Sequence, residues 1–141
     1  ATGRRVRVVV CRPADAHTLQ AVLESVRLGF VHALLVGEYD AATLSAAPAE
    51  VRAEVECVPA ADAAEAMQRA VQLVHDGEGD VLMKGLVNSD DLLRHILNKT
   101  YGLRPAGAVI THASAVSLPG FDRLVVLSDV AVIPYPTLEQ E

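Results

Sequence analysis

A chain of 141 residues can bury one hydrophobic core, and this one is 51% apolar, with aromatics at only 4% and no tryptophan. Its formal net charge of −6 lacks the basic footprint of a nucleic-acid binder, and no apolar run approaches the roughly 18 residues of a membrane span. A core of Ala, Val, Leu and Ile suits helices packed on a buried parallel sheet, whose strands read as near-continuous apolar runs.

The first predicted element is a strand over 4–11. Its apolar part, Val8–Cys11, is too short for a secretory signal peptide. Pro13 breaks it. Leu19, Val22, Leu23 and Val26 then recur at helical spacing and predict a helix over 14–28 with Gly29 at its carboxyl cap. Residues 32–36 form a second strand closed by Gly37, and the Ala-rich stretch 40–54 holds one or two short helices around Pro48. Residues 55–58 form a third strand. Asp62 and Glu65 spell a D-x-x-E capping box. The helix behind it runs to about Asp76, with Ala66, Met67, Ala70, Val71, Leu73 and Val74 on its apolar face, and Gly77 and Gly79 close it.

A fourth strand covers 80–83, with Lys84-Gly85 at its end. Ser89 or Asp90 caps the next helix, which runs to about Lys99 with Leu92, Leu93, Ile96 and Leu97 facing inward. Two more strands, 107–117 and 123–128, are joined by the turn Pro119-Gly120-Phe121-Asp122, a short link that favours an antiparallel hairpin. The tail 130–141 contains Pro134 and Pro136 and then opens a helix. Repeated strand–helix alternation predicts a single three-layer α/β/α domain over 1–141, with a mostly parallel, doubly wound sheet and one antiparallel hairpin. Cys11 and Cys57 lie outside any CxxC or His-rich context, which fits reduced, buried thiols and no metal site.

Ligands of open α/β sheets bind beyond the carboxyl ends of the strands. Four places qualify. In Lys84-Gly85-Leu86-Val87-Asn88-Ser89 a lysine leaves a strand, a glycine permits a turn and a helix amino end follows. This is either an anion site or a plain strand–turn–helix with a surface lysine. Arg94, with Lys99 and Arg104, offers either a phosphate fork or a solvated helix face. His112 is a hydrogen-bonded structural residue or a general acid–base group. Ser128-Asp129 caps the next segment or contacts substrate. His17, His32, His75 and His95 have no metal-ligand spacing.

The block Asp80-Val-Leu-Met-Lys-Gly-Leu-Val-Asn88, then Leu93-Arg94-His95-Ile96-Leu97-Asn98-Lys99, Gly102-Leu103-Arg104, the strand with His112, the Pro119-Gly120 turn and Leu127-Ser128-Asp129 closely resemble phosphate butyryltransferases. They resemble phosphate acetyltransferases more loosely. Leu19-Gln20-Ala21-Val22, Gly29 and Leu34-Leu35-Val36-Gly37 extend the resemblance over nearly the whole chain, though that early part is generic to α/β proteins. The resemblance implies one half of an isocitrate/isopropylmalate dehydrogenase-like fold, the amino-terminal half of a cytoplasmic enzyme that moves an acyl group between coenzyme A and phosphate. Coenzyme A is a substrate there and no metal or bound cofactor is used; homo-oligomers are the family's habit.

By the same resemblance, Arg94 matches an arginine used near the phosphate and is the catalytic candidate. Lys84, Gly85, Asn88 and Asp129 match further motif positions, and Ser89, Lys99, Arg104, His112 and Ser128 complete the expected substrate-binding set. Two departures stand out. Family enzymes carry a second domain with the carboxylate thought to activate the thiol, and this chain lacks it. Ile133 stands where butyryltransferases have an asparagine, so that polar contact is missing. A stand-alone phosphate- or coenzyme A-binding domain without catalysis is the alternative. A nucleotide- or sugar-phosphate-binding domain is weaker, because G-x-G-x-x-G and Walker motifs are absent.

Overall fold

The computed structural model describes residues 5–128, so Asp129, Ile133 and the helix expected within 130–141 lie outside the described residues. The chain divides into two compact units, one ending at Leu103 and the other starting at Arg104.

In the first unit, β1 (Val6–Cys11) runs parallel to both β2 (Val31–Val36) and β4 (Val81–Lys84), and β2 in turn pairs in parallel with β3 (Val55–Val58). The strand order is β3-β2-β1-β4. Alternation sends successive β1 and β2 side chains to opposite faces. Val10, Ala33 and Leu35 pack with Leu19, Val22, Leu23 and Val26 of α1 (Ala16–Arg27) and Val51 of α3 (Ala49–Arg52). Val9, Cys11, Leu34 and Val36 pack with Ala66, Met67, Ala70 and Val71 of α4 (Ala63–His75) and Leu92 of α5 (Ser89–Ile96). The sheet is therefore covered on both faces, and each fully buried Leu or Val contributes about 1.5–3 kcal/mol. Between β2 and α3, the expected break at Pro48 separates α2 (Ala41–Ala46) from α3.

The helix starts follow their capping chemistry. Asp15 Oδ2 accepts from Thr18 N at 2.8 Å, and Asp62 Oδ1 accepts from Glu65 N at 2.8 Å. Glu65 answers one residue earlier than an ideal capping box, accepting from Ala61 N at 2.7 Å. The cap of α5 is Asn88, not Ser89 or Asp90: its Oδ1 accepts from Asp90 N and Asp91 N at 2.9 and 3.2 Å. Ser89 is the first helical residue. This helix also ends at Ile96, short of Lys99, because Asn98 Oδ1 takes the N–H groups of Thr100 and Tyr101 and Leu103 N returns to Ile96 O. Over so short a helix Leu92 is buried, whereas Leu93 and Leu97 are exposed, contrary to the expected inward face.

Cys11 is buried as expected, but Cys57 is exposed. β3 is an edge strand, and only its end residues are half-covered. In the second unit, β5 (Ala113–Val116) and β6 (Val125–Ser128) form the antiparallel hairpin, shorter than the expected 107–117 at its first strand. Gly107, at φ 79°, forms a turn with Ala108 N bonded to Pro105 O, which takes the start of the expected strand out of the ladder. No helix among the described residues is long and apolar enough to cross a membrane.

Candidate functional site

The strand order puts the reversal of chain direction between β1 and β4. From β1 the chain moves outward through β2 to β3, and then crosses back to β4 on the other side of β1. The crevice beyond the carboxyl ends of strands at such a switch point is where open α/β sheets hold ligands. Here it is formed by Cys11-Arg12-Pro13 leaving β1 and Lys84-Gly85-Leu86 leaving β4.

Lys84 is the last residue of β4, registered with Cys11, and its side chain is exposed. Gly85 N donates to Cys11 O at 2.9 Å, and Leu86 N donates to Arg12 O at 2.9 Å. A β-carbon on Gly85 would collide with the carbonyl oxygens of Cys11 and Arg12, so only glycine fits there. Val87 N bonds Gly85 O at 3.0 Å, a tight turn around Leu86 that delivers the chain to Asn88 and α5. Lys84, Gly85, Asn88 and Ser89 are thus gathered on one connection: a cation, a close backbone approach and a helix amino end. The Cys11 thiol below it is no nucleophile, since burial pushes its pKa up to about 11.

Arg94 sits in the last turn of α5. Its side chain is 78% exposed, and Nη1 contacts Asp91 Oδ1 at 2.7 Å. An exposed pair of this kind is worth only about 0.2–1 kcal/mol, so Arg94 can leave Asp91 at little cost. Lys99 is exposed in the turn that Asn98 organises after α5. Arg104 is the exposed first residue of the second unit.

His112 immediately precedes β5. Its Nδ1 is buried without a hydrogen-bond partner, and its Nε2 lies 3.5 Å from Ser114 Oγ. Ser128 pairs with Ala113, so the hairpin brings His112 and Ser128 to the end opposite its Pro119-Gly120 turn. These two belong to the second unit, and Lys84, Gly85, Asn88, Ser89, Arg94 and Lys99 to the first. Asp129 lies outside the described residues.

Sequence reasoning missed Arg12. It is the only non-glycine described residue with positive φ, at 51°, a conformation that costs on the order of 1 kcal/mol or more and concentrates at functional sites. Its N–H donates to Val36 O at 2.8 Å, its Nη1 to Leu86 O at 2.8 Å and its Nη2 to Glu38 Oε2 at 2.6 Å. With Glu38 and Ala60–Ala63 it lines a cleft of about 280 Å³ before α4. The carboxylates of Glu38 and Asp62 outnumber the one guanidinium there, so the cleft itself does not attract an anion. A further concavity, about 570 Å³ between α1 and the α2–α3 segment, is lined mainly by apolar side chains such as Leu23, Ala46 and Val51. Its two charged residues, Glu24 and Arg27, are bonded to each other at 2.6 Å.

The family model described as phosphate acetyl/butaryl transferase matches residues 60–141. The phosphate butyryltransferase of Clostridium acetobutylicum is 36% identical over 136 residues, covering 96% of this chain and 45% of its own length. The phosphate acetyltransferase of Thermotoga maritima is 31% identical over 145 residues, covering 100% of this chain and 48% of its own. A solved structure, a branched-chain phosphotransacylase from Enterococcus faecalis V583, superposes with a TM-score of 0.74 at 22% identity, over 94% of this chain and 45% of that one, a likeness of fold. The chain therefore spans about half the length of the curated relatives it matches.

Proposed function

The chain belongs to the phosphate acetyl/butaryl transferase family, and from that premise we propose that the protein carrying it moves an acyl group between coenzyme A and inorganic phosphate. The chain supplies the half of the enzyme that corresponds to the family's amino-terminal domain. The thiolate of coenzyme A attacks the carbonyl carbon of an acyl phosphate; the carbon–sulfur bond forms, the carbon–oxygen bond to phosphate breaks, and phosphate leaves with the electron pair. The thiol proton goes to a base that the family resemblance locates in its second domain. Cationic and N–H groups that hold the departing phosphate lower the barrier most where its charge develops, and fixing both substrates together supplies much of the remainder.

The observation that carries this reading is the Lys84–Ser89 connection at the switch point, within the stretch matched by the family model. In the proposal Lys84 supplies a point charge to phosphate, Gly85 lets the backbone approach, Asn88 and Ser89 present the start of α5, and Arg94 exchanges Asp91 for the phosphate. Lys99, Arg104, His112, Ser128 and Asp129 are the remaining substrate-contact candidates. The partners are acyl-coenzyme A and phosphate, with coenzyme A as substrate and not as resident cofactor. A cytoplasmic location is proposed with them, supported by two free cysteines; assembly as a homo-oligomer rests on the family resemblance.

The test is release of free thiol by the complete protein when phosphate is added to acetyl-, propionyl- or butyryl-coenzyme A. No release with any of the three sinks the reading. Phosphate binding without turnover would support a binding domain instead. Arg94→Ala is expected to lose about 2–4 kcal/mol of transition-state stabilisation, the range for a charge-assisted contact in a closed site. A fall in kcat/KM of less than about tenfold would leave Arg94 a surface charge.

A further inference from the structure

We infer that Arg12 is a positioning residue that sets the phosphate-binding connection in place, an inference that rests on the phosphate-transfer reading above. One residue holds both peptide groups of Leu86: its carbonyl accepts from Leu86 N at 2.9 Å, and its Nη1 donates to Leu86 O at 2.8 Å. The same residue reaches the end of β2 twice, through its own N–H to Val36 O and through Nη2 to Glu38. Arg12 thereby ties the exits of β1, β2 and β4 together at the switch point.

Three features make this more than a surface ion pair. The Arg12 side chain is only 28% exposed, against 64% for Glu38. Its backbone is left-handed, and in that conformation its carbonyl meets Leu86 while its N–H meets Val36. The absent β-carbon of Gly85 admits the Arg12 carbonyl to the β4 exit. A planar fork with several fixed donors can serve Leu86 O and Glu38 at once, which an ammonium group cannot do with the same geometry. Arg12 is assigned a positioning role and not a ligand's, because both its terminal nitrogens are engaged, Nη1 by Leu86 O and Nη2 by Glu38, whose carboxylate offsets its charge. It acts through Leu86, two residues from Lys84 and two from Asn88.

The substitution that separates backbone from side chain is Arg12→Gly, since glycine adopts a positive φ without strain and removes the whole side chain, guanidinium included. Arg12→Lys keeps a cation but not the planar fork that reaches Leu86 O and Glu38 together. The readouts, on the complete protein, are KM for inorganic phosphate and for butyryl-coenzyme A in the thiol-release assay, and the rise in melting temperature that inorganic phosphate produces. For Arg12→Gly, KM for phosphate is expected to rise about tenfold or more, since small misplacements of a binding group are costly. KM for butyryl-coenzyme A should stay within about twofold, the pattern of a lost phosphate-specific interaction. The phosphate-induced rise in melting temperature shrinks in parallel, and Arg12→Lys falls between wild type and Arg12→Gly. An unchanged KM for phosphate in both variants overturns the inference, and so does an equal rise in both KM values. If Arg12→Gly does not fold, Arg12→Lys alone decides on the same criteria. A wild type with neither thiol release nor phosphate-dependent stabilisation removes the transferase reading and this inference with it. A wild type that turns over beside indifferent variants removes the inference alone.

Discussion

Gly85 is held between the carbonyl oxygens of Cys11 and Arg12, and it donates its own N–H to the first of them. A methyl group there must push β4 away from β1 or twist the exit of β1. Gly85→Ala is therefore expected to destabilise the protein by about 1–3 kcal/mol, the usual cost of overpacking, read as a lower urea midpoint. An unchanged midpoint would mean that the two strand exits part without cost. The glycine was legible in the sequence because a strand followed by Lys-Gly and a helix start demands a turn. Its neighbour Arg12 was not. A residue before proline is steered toward extended backbone, and nothing in Cys11-Arg12-Pro13 announces a left-handed arginine. The conformation comes from hydrogen bonds to residues 36 and 86, which are remote in sequence.

At the scale of one element, α5 shows how neighbouring polar residues divide the work. Asn88, Ser89, Asp90 and Asp91 are all good starters by composition, and the sequence reading points to Ser89 or Asp90. The structure assigns the cap to Asn88, which satisfies two of the helix's free N–H groups. Asn88→Ala is expected to cost about 1 kcal/mol, while Ser89→Ala, already inside the helix, is expected to be neutral or to gain a few tenths. Equal losses in thermal unfolding would contradict the assignment. The other end of α5 was overestimated because the apolar residues continue in register past Ile96. Asn98 captures two backbone N–H groups beyond it and stops the helix. Local side-chain competition of this kind is invisible to hydrophobic periodicity.

For the whole molecule, alternating apolar runs and amphipathic helices were enough to predict a three-layer parallel α/β fold, since a central strand such as β1 must be apolar on both faces. Strand order was less accessible, and the site depends on it: only the crossover that places β4 beside β1, opposite β2, brings Arg12 to Leu86. Exposure of Cys57 follows from the same order, because it makes β3 an edge.

The acid side of the stability curve is also a property of the whole chain. Three carboxylates, Asp15 and Glu24 at the two ends of α1 and Glu54 just before β3, have pKa values below their ordinary ones. Asp15 is lowered by the Thr18 N–H, Glu24 by hydrogen bonding to Arg27, and Glu54 by its hydrogen bond to His32 and the charge of Arg5. A depressed folded-state pKa means that the unfolded chain binds protons first. The stabilisation is complete above the ordinary values, 3.8 for Asp15 and 4.5 for the two glutamates, and is lost as pH falls through the lower folded values. The triple variant Asp15→Asn, Glu24→Gln, Glu54→Gln keeps hydrogen-bonding side chains but cannot titrate. It is expected to be less stable than wild type at neutral pH and to lose less on acidification, so that the two urea midpoints converge as pH falls through the lowered folded values. Curves that stay parallel throughout would assign the acid sensitivity to other groups.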